Sequence, residues 1–448
     1  MFRTVLVANR GEIARRVFRA CRVLGLRTIA VYSEADAGAP HTREADAAVL
    51  VGPAPARESY LAIDRIVTAA REGGADAVHP GYGFLSENWR FAEACLRAGL
   101  IFVGPTPAAI RAMGDKTEAR RLMQAAGVPI VPGSLEPLGD LAETDRVARE
   151  IGFPLILKAA GGGGGIGMAR VTAPAELAGA FTTAGRRAQA AFGTAALYIE
   201  RYLECPRHVE VQLFGDHHGT VVHLHERECS IQRRHQKVVE ESPAPRLTET
   251  TRRGLTSAAA RGAAAIGYTN AGTMEFLVDD RGDFYFLEMN TRLQVEHAVT
   301  EEVTGLDLVV EQLRVAAGEA LPWRQEDIAT RGASIECRVY AEDPDKGFLP
   351  SPGTIGRLDL PAGDGVRVES GVETGSTVSV HYDPLLFKLI AHGGSREEAV
   401  VRMAASLDRC RVEGVKTNLA FLGRVVASEA FRRGEVHTQM VEQGAFNA

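Results

Sequence analysis

From residue 4 to residue 103 the chain alternates short apolar runs with helical stretches, and few folds accept that order. Residues 4–8 read as a strand, Asn9-Arg10-Gly11 as a turn, and residues 12–24 as a helix with Ile13, Val17, Ala20 and Leu24 on one face. A second strand over 28–32 completes the start of a βαβ unit. A helix around 60–72, a strand at 77–79, a helix through 88–98 and a strand at 101–103 continue the alternation. Strands joined by helical crossovers lie parallel, so a parallel-sheet domain ending near Met113 is expected. Its first turn lacks G-x-G-x-x-G, and the domain therefore reads as a scaffold rather than a dinucleotide site.

Beyond Lys116 hairpins mix with helices, and beyond about Arg331 the strands shorten between Pro-Gly and Gly-Asp turns. A chain of 448 residues exceeds what one core usually organises, so two or three domains are expected. With 51 basic against 57 acidic residues, the net charge of -6 gives no reason to expect a nucleic-acid or membrane partner, and phosphate binding must be local. The six cysteines lack CxxC spacing, which fits reduced structural thiols and a cytoplasmic setting. The N-terminus runs straight into an apolar strand without a signal-peptide core, and no apolar run is long enough to span a bilayer.

Residues 154–158 form a strand-like run ending in Lys158, followed by Gly161 to Gly165, Ile166, Gly167 and a second strand-like stretch ending at Val171. Met168 and Ala169 after Gly167 rule out a Walker A loop. Two readings stay open: a glycine hairpin whose N–H groups approach phosphate oxygens, with Lys158 as a point charge, or a merely flexible loop beside a solvated lysine.

Residues 273–290 read as a hairpin with a two-residue turn, Arg281-Gly282, which sets Glu275 opposite Glu288. Carboxylates facing across a ladder repel, so a hard, oxygen-liganded cation such as Mg²⁺ is expected between them. Continuing as a strand, Glu288, Asn290, Arg292, Gln294 and Glu296 would share one face, with Leu287, Met289, Leu293 and Val295 on the other. Arg292 can hold a small planar anion in bidentate fashion, and Glu296 can act as general base. The alternative is an ordinary solvated strand face. Residues 208–213 again place polar groups on one face, and Gln232-Arg233-Arg234-His235-Gln236-Lys237 reads either as a surface patch or as a basic loop entering a cleft.

Together, Val7-Ala8-Asn9-Arg10-Gly11-Glu12-Ile13-Ala14, His79-Pro80-Gly81-Tyr82-Gly83-Phe84-Leu85-Ser86-Glu87-Asn88, residues 226–241 and Glu288-Met289-Asn290-Thr291-Arg292-Leu293-Gln294-Val295-Glu296-His297 resemble biotin carboxylase. Met113-Gly114-Asp115-Lys116, Glu336-Cys337-Arg338 and Phe348-Leu349-Pro350-Ser351-Pro352-Gly353 extend the resemblance over almost the whole chain. It implies an α/β and α+β multidomain fold. A Rossmann-like N-terminal domain (1–113) would precede a central ATP-grasp domain (114–330) with a glycine-rich lid at about 130–203, and a mixed α+β C-terminal domain (331–448) would follow.

The resemblance further implies a ligase that carboxylates biotin with ATP and bicarbonate, the first half-reaction of acetyl-CoA or other acyl-CoA carboxylases such as that of fatty acid biosynthesis. Lys116, Lys158, Gly163, Gly164, Gly165, Glu200, Leu203, His208, Gln232, His235, Glu275, Leu277 and Glu288 would surround ATP. Glu275, Glu288 and Asn290 would hold Mg²⁺ or Mn²⁺. Lys237, Arg292, Gln294 and Val295 would hold bicarbonate, with Glu296 as base, and Tyr82 and Arg338 would meet biotin. Glu296, Arg292, Arg338 and Lys237 would be catalytic. A biotin carboxyl carrier protein and a carboxyltransferase on separate chains are the implied partners, and a homodimer the implied assembly. Ile166, Ala298, Phe387 and the Met168-Ala169-Arg170 order depart from the family pattern, and the missing lid cation at Ile166 implies altered ATP affinity.

Overall fold

The computed structural model describes residues 2–159 and 168–447; the expected phosphate-loop residues Gly163, Gly164 and Gly165, and Ile166 with them, lie outside the described residues. Five parallel strands open the chain: β1 (Thr4–Val7), β2 (Arg27–Ser33), β3 (Ala47–Gly52), β4 (Ala77–His79) and β5 (Ile101–Phe102), in the order β3-β2-β1-β4-β5. Helix Gly11–Val23 buries Ile13, Val17 and Phe18, as its spacing predicts. Helix Trp89–Arg97 starts where Asn88 caps it, the side-chain oxygen accepting from the N–H groups of Arg90 and Phe91. Strand β3 is not foreseen from the sequence. It is an edge strand with Leu50 exposed, so it lacks the apolar continuity that marks its neighbours.

A small antiparallel sheet follows, β6 (Leu155–Ala159), β7 (Ala169–Val171) and β8 (Leu197–Arg201) in the order β7-β6-β8, closed by helices Leu141–Ile151 and Leu177–Phe192 over Leu155, Leu157, Val171 and Ile199. The strands on either side of the glycine run thus pair with each other, as expected of a hairpin.

The largest element is an eight-stranded antiparallel sheet. Its strands are β9 (Arg207–Gly215), β10 (Val221–Arg233), β11 (Gln236–Ser242), β12 (Asn270–Val278), β13 (Phe284–Asn290), β14 (Ala333–Tyr340), β15 (Val366–Ser370) and β16 (Leu385–Gly393), in the order β13-β12-β9-β10-β11-β14-β16-β15. It runs without a break from the central region into the C-terminal one through the β11–β14 ladder, Val239 opposite Cys337 and Glu240 opposite Glu336. Gly371, beyond β15, brings the C-terminal region onto the first domain: a Cβ there would stand 2.9 Å from the Glu12 backbone nitrogen.

Two expectations about β12 and β13 need correcting. The turn is not the two-residue Arg281-Gly282. Asp279 N–H bonds Asp283 O, leaving a three-residue loop, Asp280 to Gly282, with Gly282 at φ +87°. That loop alone would misplace the carboxylates by one residue, but a bulge between the Glu275–Glu288 and Phe276–Phe286 pairs restores the register. The strand also ends at Asn290 instead of continuing to Glu296. The Thr291 N–H leaves the ladder for Glu87 Oε1 at 3.0 Å, and Glu296 becomes the residue preceding helix His297–Thr304.

Of the departures from the family pattern, Phe387 is fully buried in the C-terminal core, and Ala298 packs with Val299 and Ile390 under that helix. All six cysteines are free, and only Cys205 is exposed. Among the described residues no helix is long and apolar enough to cross a membrane.

Candidate active site

A cavity of about 930 Å³ lies between the small three-stranded sheet and the face of the large one. Lys116 enters it from helix Lys116–Ala125, whose start is fixed by Asp115 accepting from the N–H groups of Thr117 and Glu118. Lys158 enters from β6 and is ion-paired to Glu200 of β8. Glu200 is buried and also paired to Arg120, a partner that local sequence gives no sign of. Leu203, Gln232, His235 and Leu277 line the same cavity, as do Thr438 and Gln439 from the C-terminal segment. The sequence pattern gave no sign of this segment; Gln439 Nε2 donates to Tyr202 Oη at 2.8 Å and so ties it to the residues that follow β8.

On the floor, three strands bring three carboxylates side by side: Glu275 of β12 stands opposite Glu210 of β9 on one side and Glu288 of β13 on the other. The expected repulsion is real, but the protein supplies much of the neutralising charge itself. Lys237 Nζ lies 2.8 Å from Glu275 Oε1 and 2.6 Å from Glu296 Oε1, and is also paired to Glu210. His208 Nε2 lies 3.2 Å from Glu275 Oε2. Burial alone would lower the His208 pKa, but Glu275 and Glu210 raise it to about 9, so the ring is cationic at neutral pH. Burial works against ionised Glu275, and Lys237 and His208 outweigh it, holding the group well below the usual carboxylate range. Glu210 is also anchored by the fully buried Arg227 at 2.6 Å. Glu210 belongs to the polar face expected over 208–213, but neither its place in this row nor that of Arg227 was legible, because only the β9–β10 and β9–β12 ladders bring them there.

Glu288 has no salt bridge among the described residues and is exposed toward the cavity. Its carboxylate, that of Glu275 and the Asn290 side-chain oxygen make an all-oxygen donor set with one uncompensated charge, which fits a small hard cation such as Mg²⁺.

Arg292 is held on several sides. Its Nε donates to Glu87 Oε2 (2.9 Å), Nη2 to Asn290 Oδ1 (2.9 Å), and Nη1 to Gln294 Oε1 (3.1 Å). Glu87 comes from the first domain, and nothing in the local sequence pointed to this role. Gln294 Nε2 in turn donates to Glu275 Oε1 at 3.2 Å. The buried Lys388 of β16 donates to the carbonyl of Val295, fixing the turn that carries these groups. Glu296 is fully buried, with Oε1 on Lys237 and Oε2 2.9 Å from Arg338 Nη2. Burial favours its protonated form, but Lys237 and Arg338 prevail and keep it ionised.

The alternating strand face expected for residues 288–296 is therefore absent, yet its polar members still converge, because the chain turns around the cavity instead of running along it. Two expected residues do not line the cavity: Glu296 lies directly behind Lys237 and Arg338, and Tyr82 has its hydroxyl turned onto Glu12. Such an arrangement can hold a polyphosphate at Lys116 and Lys158, a small anion at Arg292 and Lys237, and a carboxylate base beside that anion.

Three family models match successive stretches of the chain: the biotin carboxylase N-terminal domain over residues 1–110, the carbamoyl-phosphate synthase L chain ATP-binding domain over 115–324, and the biotin carboxylase C-terminal domain over 336–443. Over 443 residues the chain is 54% identical to biotin carboxylase 2 of Bacillus subtilis, covering 99% of this chain and 100% of that one. The crystal structure of the biotin carboxylase domain dimer of Hydrogenobacter thermophilus 2-oxoglutarate carboxylase, in complex with MgADP, ADP and bicarbonate, superposes with a TM-score of 0.94 at 48% identity, covering 100% of this chain and 99% of that one. A crystal structure of the biotin carboxylase subunit of pyruvate carboxylase superposes with a TM-score of 0.88 and 46% identity, covering 100% of both chains.

Proposed function

The chain belongs to the biotin carboxylase family, and from that membership we propose how its cavity carboxylates biotin with ATP and bicarbonate, the first half-reaction of a biotin-dependent carboxylase. The observation that carries the reading is the fully buried Glu296, held ionised between Lys237 and Arg338, which themselves line a cavity that also presents Lys116, Lys158 and Arg292.

ATP lies with its base against the end of β8 and Leu203 and its phosphates at Lys116 and Lys158. Glu275, Glu288 and Asn290 hold Mg²⁺, or Mn²⁺ with the same donors, whose contribution is to neutralise charge on the phosphate oxygens. Bicarbonate sits between Arg292, Lys237, Gln294 and the Val295 backbone. As it draws Lys237 toward itself, Glu296 regains basicity and takes the bicarbonate proton. The freed oxygen attacks the γ-phosphorus, the bond to ADP breaks, and carboxyphosphate forms. It breaks down to CO₂ and phosphate, the phosphate takes the proton of the biotin ureido nitrogen, and that nitrogen attacks CO₂. Arg338 stabilises the enolate oxygen that develops. Since Tyr82 is turned onto Glu12, the biotin site we propose rests on Arg338 first.

The functional division we propose is a scaffold over 1–113, the ATP-grasp region over 114–330 and a completing region over 331–448. We place the biotin carrier and the transferase on separate chains and the enzyme in a homodimer; a similar structure described as one subunit of pyruvate carboxylase and the dimer of the 2-oxoglutarate carboxylase domain support this. The acceptor, an acyl-CoA or another acid, is then set by the transferase. The free, mostly buried thiols support a reducing compartment, in keeping with the cytoplasm.

The direct test is phosphate release by the purified chain with Mg²⁺ and ATP, adding bicarbonate and free biotin separately and together. Stimulation by the pair, with carboxybiotin as product, is expected; ATP binding without any stimulation would sink the reading. Glu87→Gln probes the anion site from outside it. The change removes the charge behind Arg292, a bond worth roughly 1.5–3 kcal/mol, so the bicarbonate KM should rise by roughly tenfold or more while the ATP KM stays close to wild type. Equal rises in both would show that Glu87 only supports the fold.

A further inference from the structure

Behind Arg338, which lines the cavity, lie carboxyls that the reaction does not use. Glu240 of β11 and Glu336 of β14 stand directly opposite each other and are fully buried. Charge on both members of a directly opposed pair is destabilising, and only Glu240 meets Arg338, which lies two residues from Glu336 along β14 and therefore on the same face; Glu336 lies 3.9 Å from Lys388 Nζ instead. Arg338 Nη2 lies 2.6 Å from Glu240 Oε1 and 2.9 Å from Glu296 Oε2, so one guanidinium nitrogen is shared between two carboxylates. Only one of the two is consumed as a base.

In the proposed reaction, Glu296 gains a proton before Arg338 is needed by the biotin oxyanion. Its contact with Arg338 then loses the charge assistance that roughly doubles a hydrogen bond's strength. We propose that Glu240 is a positioning residue for biotin carboxylation, holding the Arg338 guanidinium at the biotin end of the cavity after Glu296 has been neutralised. Arg338 Nε is buried and makes no hydrogen bond among the described residues, so the anchored guanidinium keeps a free donor for a substrate oxygen.

The electrostatics run the same way. Burial raises the Glu240 carboxyl, Arg338 pulls it down and ionised Glu296 pushes it up, leaving it at about 7. Once Glu296 carries a proton that last push is gone, Glu240 ionises more fully, and the charge facing Arg338 passes from one carboxylate to the other. Burial holds Glu336 well above the carboxylate range, so it stays neutral and does not compete for the guanidinium.

The test uses the full chain and two rates: phosphate release with bicarbonate alone, and the increment added by free biotin. In Glu240→Gln the kcat/KM for biotin should fall roughly 10- to 100-fold, as for loss of a charged partner of a buried guanidinium, while the rate with bicarbonate alone stays within about threefold of wild type. Glu240→Asp, which keeps the charge on a shorter arm, should recover part of the loss. Thermal midpoints measured alongside separate this from unfolding, and if the Gln variant does not fold, the Asp variant carries the same comparison of rates. Equal falls in both rates, or no fall in either, overturn the assignment of Glu240. A wild-type chain without any biotin increment would instead overturn the functional reading on which this inference rests.

Discussion

Glu296→Gln is expected to cut bicarbonate-dependent ATP hydrolysis by about 10²- to 10⁴-fold, the contribution of a positioned general base. The side chain is fully buried and held by Lys237 and Arg338, so the amide occupies the same space and its oxygen can still accept from one of the two, but its NH2 turns a donor toward the other and it cannot take a proton. Both cations keep other carboxylates, Lys237 on Glu210 and Glu275 and Arg338 on Glu240, so the site should not collapse. Nucleotide affinity, measured by titration calorimetry with ADP, should therefore change little. A variant that retains bicarbonate stimulation within tenfold of wild type would remove Glu296 from the reaction and leave the bicarbonate proton to another acceptor.

Arg227→Met should have the largest effect on stability, a loss of about 3–5 kcal/mol. Arg227 is wholly buried, and its guanidinium donates to Glu210 (2.6 Å), Gln212 (2.7 Å), Thr300 (2.9 Å) and Thr273 (3.1 Å). Methionine matches the stem but leaves four acceptors under the sheet without a donor. Glu210 would then depend on Lys237 and His208 alone, the groups the active site needs elsewhere. Urea unfolding of the variant measures the loss. Glu210→Gln in the same background should restore part of it, because the stranded charge is what makes a broken buried pair costly. A loss below about 1 kcal/mol would mean that water or a neighbouring cation replaces the guanidinium.

What the sequence revealed depended on how locally each feature is encoded. The parallel first domain was legible in its alternation, since each strand and helix announces its own period. The Glu275–Glu288 pair was reached through a two-residue turn that does not exist, and came out right because the bulge near Leu287 adds back the residue that the longer loop takes away. The polar face expected over 288–296 failed as a strand, because Glu87, some 200 residues earlier, takes the Thr291 N–H out of the ladder at 3.0 Å. Arg120, Glu210, Arg227, Glu240 and Lys388 stayed hidden for a related reason. Glu210, Arg227 and Glu240 even lie in stretches that the sequence marks, 208–213 and 226–241, but the meaning of each of the five comes from a neighbour strand or helix that periodicity cannot pair with it.

The seam between β11 and β14 bears on how this enzyme can be divided. Although residue 330 looks like a boundary, cutting there would strip β14 from β11 and leave two long, hydrogen-bonding edges open, Gln236–Ser242 on one fragment and Ala333–Tyr340 on the other. Unprotected edges of that kind recruit other strands and promote aggregation. Exchange of C-terminal regions between relatives that serve different acceptors is thus constrained at this ladder: a hybrid inherits a working base and its arginine only if both halves of the seam come from compatible parents.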